Sequence, residues 1–315
     1  MAEATASALP TIAFIGLGHM GLPMVTRLAA AGYTIRGYDV ADEARAALDA
    51  VDGAESVDRL DEVAAGADVL LLMLPSSPVV EDLLIASGLL ESLPAGTTLI
   101  DMGSSEPSST KALAEQASKR GVVMIDAPVS GGVSGAKAGT LAIMVGGPEA
   151  DIAKHRPIFD VLGAQVTRAG DVGAGHAVKS INNLMAGCLF LATSEAMLAG
   201  IAFGLDPTVI LEVINGSSGR SLSTQVKWPQ FVLTDTFDAG FGIQLLVKDM
   251  RIALALAHEA GTAARFSEMA VDLWSEAAAA LSPAADNTEI VRWLRGEVGS
   301  TEPGGTSGTS SSRER

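Results

Sequence analysis

The sequence predicts an α/β fold: a doubly wound, parallel-rich sheet at the N-terminus, followed by an all-α C-terminal domain. Three observations carry this. From Thr11 to about Ala169, short β-rich runs alternate with Ala-rich helical ones, the pattern of parallel strands joined by helical crossovers. Several of those runs are unbroken apolar stretches, as strands covered on both faces require. After Gly175 the strand-like runs stop and only helical ones follow.

The expected strands are Thr11–Ile15, Thr34–Tyr38, Asp68–Leu74, Thr97–Asp101, Val122–Asp126, Leu141–Val145 and Gln165–Thr167. The expected helices of the second half are His176–Gly204, Pro207–Asn215, Leu245–Ala260 and Ser267–Leu281. Gly170 to Gly175 is glycine-rich and marks the boundary. The division is therefore 1–172 for a sheet domain, 173–298 for a helical domain and 299–315 for a Ser/Thr/Gly-rich tail read as disordered. No tandem repeat is visible.

Composition narrows the function. The 315 residues suffice for two cores. A formal net charge of −16 without any basic block argues against nucleic acid, because phosphate binding needs clustered Lys and Arg. The single cysteine, Cys188, sits in an apolar run and reads as a small core residue, and the reducing cytoplasm is the expected location. Met1–Pro10 carries Glu3 and no positive charge, unlike a signal peptide. No metal-ligating cluster is expected.

Thr11–Ile15 runs into Gly16-Leu17-Gly18-His19-Met20-Gly21 and then a helical stretch to Ala31. Gly16 permits a tight turn, Gly18 lets backbone approach a pyrophosphate, and Gly21 lets the helix pack on the strand. Free N–H groups at the helix start then face the phosphates. Asp39, ending the second strand, is placed to bond the adenosine ribose hydroxyls and to repel a 2′-phosphate. No Lys or Arg lies among Val40, Ala41, Asp42 and Glu43, so NAD is favoured over NADP, with Arg36 and Arg45 read as surface side chains. The domain is thus expected to be of the Rossmann type. Leu74 and Pro75, ending the next long strand, should line the same groove.

Lys179, Asn182 and Asn183 fall at i, i+3 and i+4 of the next helical run. An ammonium can move a proton, and two carboxamides can orient a hydroxyl or carboxylate. From Leu184 to Phe203 the run is nearly all apolar, with Glu195 its only charge, so this helix is expected to be mostly buried rather than to span a membrane. Buried polar groups need partners, and a substrate is one kind of partner.

Four motifs in order resemble the β-hydroxyacid dehydrogenases, the family of 3-hydroxyisobutyrate dehydrogenase and tartronate semialdehyde reductase, over roughly Thr11 to Ala280. They are Gly16 to Met24; Asp126-Ala127-Pro128-Val129-Ser130-Gly131-Gly132 with Gly135, Ala136, Gly139, Thr140 and Leu141 after it; the Lys179 helix; and Phe241 with Lys248-Asp249.

The resemblance implies that Ser130, Gly131 and Gly132 hold a substrate carboxylate. It makes Lys179 the catalytic acid/base and Asn183 its partner in positioning the reacting oxygen, with Asn182 beside it. Phe241 and Lys248 would approach the nicotinamide end of the cofactor, with Asp249 bracing Lys248. Ser104 would contact the cofactor, although Asp101-Met102-Gly103-Ser104 departs from the family's Asp-x-Ser-Thr. Where members acting on 3-hydroxyisobutyrate show Gly-Asn-Trp, this chain reads Ser217-Ser218-Gly219-Arg220-Ser221-Leu222. Arg220 becomes a candidate for a second polar group on the substrate.

The implied reaction is reversible hydride transfer between C3 of a small 3-hydroxy acid and NAD, Lys179 taking or giving the hydroxyl proton. Burial and a neighbouring cationic ring favour a lysine that sheds its proton readily. Imine reductases share the architecture but usually carry Asp or Tyr in place of the lysine. A non-catalytic cofactor-binding scaffold would expect a lost lysine or an added domain, and neither is seen. Long apolar helices in a small domain point to a homodimer or homotetramer.

Overall fold

The computed structural model describes residues 9–298. The expected tail 299–315 and most of Met1–Pro10 lie outside the described residues. Among those described, nine strands form one sheet: β1 Ile12–Ile15, β2 Ile35–Tyr38, β3 Ala54–Ser56, β4 Val69–Leu72, β5 Thr98–Asp101, β6 Val123–Asp126, β7 Val129–Ser130, β8 Leu141–Gly146 and β9 Gly163–Gly170. The order is β3-β2-β1-β4-β5-β6-β8-β7, with β9 pairing β8. Strands β1 to β6 are all mutually parallel. They are therefore the doubly wound Rossmann order, with its reversal between β1 and β4. β8 runs antiparallel to β6 and β7.

The pleat explains why the strands read as unbroken apolar runs. Ile12 and Phe14 of β1, with Val69 and Leu71 of β4, enter one buried cluster. Ala13 and Ile15, with Leu70 and Leu72, enter another. Successive side chains point to opposite faces, and both faces are covered. β3 and β7 were absent from the expected strands. Ala-Glu-Ser and Val-Ser are too short to show a period, and only pairing with β2 and β8 makes them strands.

The described chain packs as two compact units. The first holds residues up to Met185 together with Asp249–Ala263; the second holds Ala186–Lys248 and the described chain from Ala264 onward. The division by packing falls inside the long helix Ala174–Ala202. The first part of that helix, with Lys179, belongs to the unit that contains the sheet.

In the second unit, helices Pro207–Asn215, Ile243–Glu259 (its part before Asp249) and Arg265–Ala280 fall close to their expected bounds. A wide-turned π-type helix, Ser223–Val232, was not expected, because Pro229 within it interrupts any helical pattern. Trp228 and Trp274 are fully buried there, and each indole N–H has a partner: Ser194 Oγ at 3.2 Å and the Gly187 carbonyl at 3.1 Å.

The expectation that the long helix is mostly buried is corrected. Only 28% of its most apolar window is buried within the chain. Val178, Ile181, Met185 and Leu189, at successive one-turn steps, are 42%, 43%, 59% and 49% exposed. By length and composition alone this helix could cross a membrane. A helix apolar all round needs more covering surface than one small domain supplies.

Candidate functional site

The nucleotide end is built at the carboxyl ends of β1 and β2, and the three glycines of the first motif differ in what they do. A Cβ on Gly21 would lie 1.8 Å from the Gly16 carbonyl oxygen, and one on Gly16, at φ +98°, would lie 2.3 Å from that of Met73. Both are demanded by the protein's own packing. A Cβ on Gly18 would meet no atom of the chain within 4 Å, so the protein's own packing does not demand a glycine there. The helix Gly21–Ala30 that follows carries no acidic residue in its first turn and no side-chain cap, features compatible with an anion at its start. His19 is exposed, while Leu17 is buried and Met20 half-buried.

Asp39 directs its carboxylate at this loop. Oδ2 accepts the Leu17 N–H at 2.7 Å and Oδ1 accepts the Ala41 N–H at 2.9 Å. The acid is therefore oriented by backbone. Arg36 is tied to Glu55 and the Ala65 carbonyl. Arg45 bonds the Asp39 carbonyl and Asp42 and stands over the Tyr38 ring; contrary to the surface reading, its side chain is only 16% exposed. These residues fit NAD.

Leu74 and Pro75 follow β4, and Ser104 follows β5. The two loops are joined where the Glu106 N–H donates to Ser77 Oγ at 2.7 Å, and a Cβ on Gly103 would come within 2.5 Å of the Leu74 carbonyl oxygen. Ser130 ends β7, and Gly131 and Gly132 have φ of +128° and +61°, a conformation that favours glycine. Their exposed N–H-bearing turn opens a short helix, Gly132–Ala138.

The third group sits on the first turns of the long helix. Asn183 is 6% exposed, and its Nδ2 donates to Asp249 Oδ2 at 2.6 Å. Ser104 Oγ donates to Asp249 Oδ1 at 2.9 Å. Asp249 is buried, at 2% exposure. Because a carboxylate only accepts, this contact settles which end of the Asn183 amide faces it. Its Oδ1 receives the Asn182 Nδ2 at 3.1 Å. Asn182 itself is exposed, so of the two amides only Asn183 is buried. Neighbouring helical residues lie about 100° apart around the axis, and both cannot face inward. Lys179 is half-buried.

Beneath this lies a cluster that spacing alone does not reveal. Asp101, Asp126 and His176 are all buried. Asp126 accepts the N–H groups of Gly173 and His176, and burial pushes its carboxyl up from the ordinary value against the pull of His176 and those N–H bonds.

The second unit holds Arg220, Phe241 and Lys248. Arg220 is exposed. The Phe241 N–H donates to Asp286 Oδ2 at 3.0 Å, and its carbonyl accepts from Asn287. Lys248 is half-buried. Sequence reasoning missed Lys227, whose Nζ donates to Asn287 Oδ1 at 2.6 Å and stands 4.5 Å from the Phe190 ring centroid. Burial lowers its pKa to about 8. Cys188 is half-buried, and burial pushes its thiol up, as an unreactive cysteine requires.

A glycine-rich turn after β1, an acid ending β2 and a lysine–asparagine helix are the features expected of a dinucleotide-dependent oxidoreductase, and the class is shown by comparison with known proteins. Residues 11–170 match the family model described as the NAD binding domain of 6-phosphogluconate dehydrogenase. Residues 173–294 match that described as NAD-binding of NADP-dependent 3-hydroxyisobutyrate dehydrogenase. The chain is 39% identical over 264 residues to 2-(hydroxymethyl)glutarate dehydrogenase of Eubacterium barkeri, covering 84% of this chain and 87% of that protein. It is 38% identical over 270 residues to an NAD-dependent L-serine dehydrogenase of Pseudomonas aeruginosa, covering 84% and 90%. The solved 3-hydroxyisobutyrate dehydrogenase of Mycobacterium tuberculosis with L-serine superposes with a TM-score of 0.85 at 32% identity, covering 91% of this chain and 99% of that one. The chain belongs to the β-hydroxyacid dehydrogenase family. It is an NAD-dependent dehydrogenase of hydroxy acids, and the imine reductase reading falls behind.

Proposed function

We propose that this enzyme oxidises a small 3-hydroxy acid at C3, reversibly, with Lys179 as general acid/base. The observation that carries the reading is the buried Asn183, one helical turn beyond Lys179, held by an Asp249 carboxylate that also holds Ser104. Such a fixed amide beside an amine suits a single reacting oxygen. The named substrates of the three relatives share one core, a carboxylate with a hydroxymethyl group on the adjacent carbon. They differ in the third substituent: methyl, ammonium or a carboxyethyl arm.

Ser130, with the N–H groups of Gly131 and Gly132, takes the carboxylate, a compact anion site without a bulky cation. In oxidation the neutral Lys179 amine accepts the hydroxyl proton; in reduction its ammonium returns it. Asn183 orients the oxygen with the amide N–H that Asp249 leaves over. NAD, when bound, supplies the hydride acceptor. Asp39 selects it over NADP by meeting the ribose hydroxyls, Lys248 and Phe241 serve its nicotinamide end, and Arg220 pairs with a polar third substituent.

Residues 1–172 form the nucleotide-binding domain in this reading, and 173–298 the substrate and oligomerisation domain. The exposed apolar stripe on the long helix supports a homodimer or homotetramer, and the lone half-buried cysteine supports a cytoplasmic enzyme. The test is NAD reduction over a panel of 3-hydroxy acids varied at the third substituent, with Lys179→Ala alongside. Turnover confined to 2-hydroxy acids, or a Lys179→Ala loss of only a fewfold, defeats the reading. A non-catalytic scaffold would bind NADH and turn over nothing in the panel.

A further inference from the structure

We propose that His176 is a positioning residue for Lys179, holding the first turn of the long helix against the ends of β5 and β6. The inference rests on the acid/base reading of Lys179 and adds a residue that reading does not use.

The first N–H groups of a helix have no partner within it. Here two find one on a strand about fifty residues earlier in the chain. Asp126 Oδ1 accepts the Gly173 N–H at 2.6 Å, and Asp126 Oδ2 accepts the His176 N–H at 2.8 Å. A carboxylate at a helix N-terminus is also favoured by the helix dipole. The approach is as close as sterics allow. A Cβ on Gly175 would lie 2.8 Å from Asp126 Oδ2, and one on Gly146 would lie 2.5 Å from Oδ1.

The imidazole completes the grip. His176 Nδ1 lies 2.8 Å from Thr110 Oγ1. Thr110 has one hydroxyl hydrogen, directed at the Glu106 carbonyl at 3.1 Å. In the tautomer with its hydrogen on Nδ1, the ring donates to the Thr110 oxygen; in the other, the hydroxyl turns to Nδ1. Nε2 is buried, has no hydrogen-bond partner, and faces Asp101 Oδ2 at 3.7 Å. An apolar side chain would fill this space without leaving a buried nitrogen unsatisfied. The ring is thus better explained by where it holds the helix than by packing.

Asp101, which Nε2 faces without a hydrogen bond, holds the neighbouring loop. It accepts the Gly103 N–H at 2.9 Å and Ser105 Oγ–H at 2.7 Å, and so shapes the loop that carries Ser104. Ser104 holds Asp249, which holds Asn183. Residues 176, 179 and 183 share one helical face. The helix is therefore held at 176 by Asp126 and Thr110 and again at 183 by Asp249, with Lys179 between.

The test compares His176→Ala, His176→Gln and Thr110→Val in the full-length enzyme. Expected in His176→Ala is a kcat about 10²-fold lower, the scale on which small misplacements act, with NADH affinity within about twofold of native. Gln, which keeps a donor for Thr110, restores most of the loss; Thr110→Val falls in the same direction as Ala. A kcat within about twofold of native in His176→Ala overturns the proposal, and so does an equal fall in kcat and NADH affinity. A readout independent of turnover is the resonance of ¹³C-methylated Lys179, expected to move in His176→Ala and return in His176→Gln. If Lys179→Ala retains native turnover, the acid/base reading fails, and this resonance then decides: an unmoved signal overturns the positioning role.

Discussion

Asn183 and Asp249 are 66 residues apart in sequence, yet the amide of one donates to the carboxylate of the other at 2.6 Å. The same carboxylate takes the Ser104 hydroxyl, 145 residues from it. One buried acid thus orients two residues that sequence motifs place in separate roles. Asp249→Ala removes the carboxylate that accepts from both the Asn183 amide and the Ser104 hydroxyl, which costs about 1–3 kcal/mol in stability. Urea unfolding should show that loss, and kcat should fall further than Asn183→Ala alone predicts. Unchanged stability would mean the three groups are not coupled.

The two glycine variants of the nucleotide turn should separate folding from binding. Gly21→Ala places a methyl 1.8 Å from a backbone oxygen and should prevent the native turn from forming. Gly18→Ala meets no atom of the chain, so the thermal midpoint should hold while NADH binding weakens by about tenfold or more, worth about 1.4 kcal/mol. Titration of NADH fluorescence reads the second effect; intact affinity would remove Gly18 from the cofactor site.

Asp39→Arg should move the preference in kcat/KM from NAD toward NADP. It should also lower stability, because the Leu17 and Ala41 N–H groups lose their acceptor. Parallel assays with both cofactors decide; an unaltered ratio would remove Asp39 from the ribose.

Lys227 should make stability rise with pH on the alkaline side. Burial lowers its pKa from 10.5 to about 8 in the folded chain. Between those values the unfolded chain binds a proton that the folded chain does not, so unfolding becomes less favourable as pH increases. Below about 8 both states are protonated and the folded state bears the full penalty of a buried cation. The stability difference between native protein and Lys227→Met, followed by urea unfolding, should shrink across this window. A pH-independent difference would refute the assignment.

The exposed stripe Val178, Ile181, Met185 and Leu189 should be covered by another copy of the chain. Met185→Lys should then lower the mass seen by light scattering. A native protein that is already monomeric at assay concentration would defeat the oligomer proposal.

What the sequence alone determined is local. Alternating strand and helix runs, two-face burial and the glycine turn depend on residues within a few positions of each other. They specified a doubly wound, parallel-rich sheet of Rossmann type, without β3 and without the strand order. The position of Lys179 and Asn183 on one helix was likewise readable from the 3.6-residue period. Tertiary structure decided the rest. It buried Asn183 and exposed Asn182, closed Asp126 over the helix start, brought Ser104 and Asp249 together, and left the apolar helix largely uncovered. Hydrogen bonds between residues 47 to 145 positions apart leave no periodic trace, because their geometry exists only once the strands have set the ends of the loops.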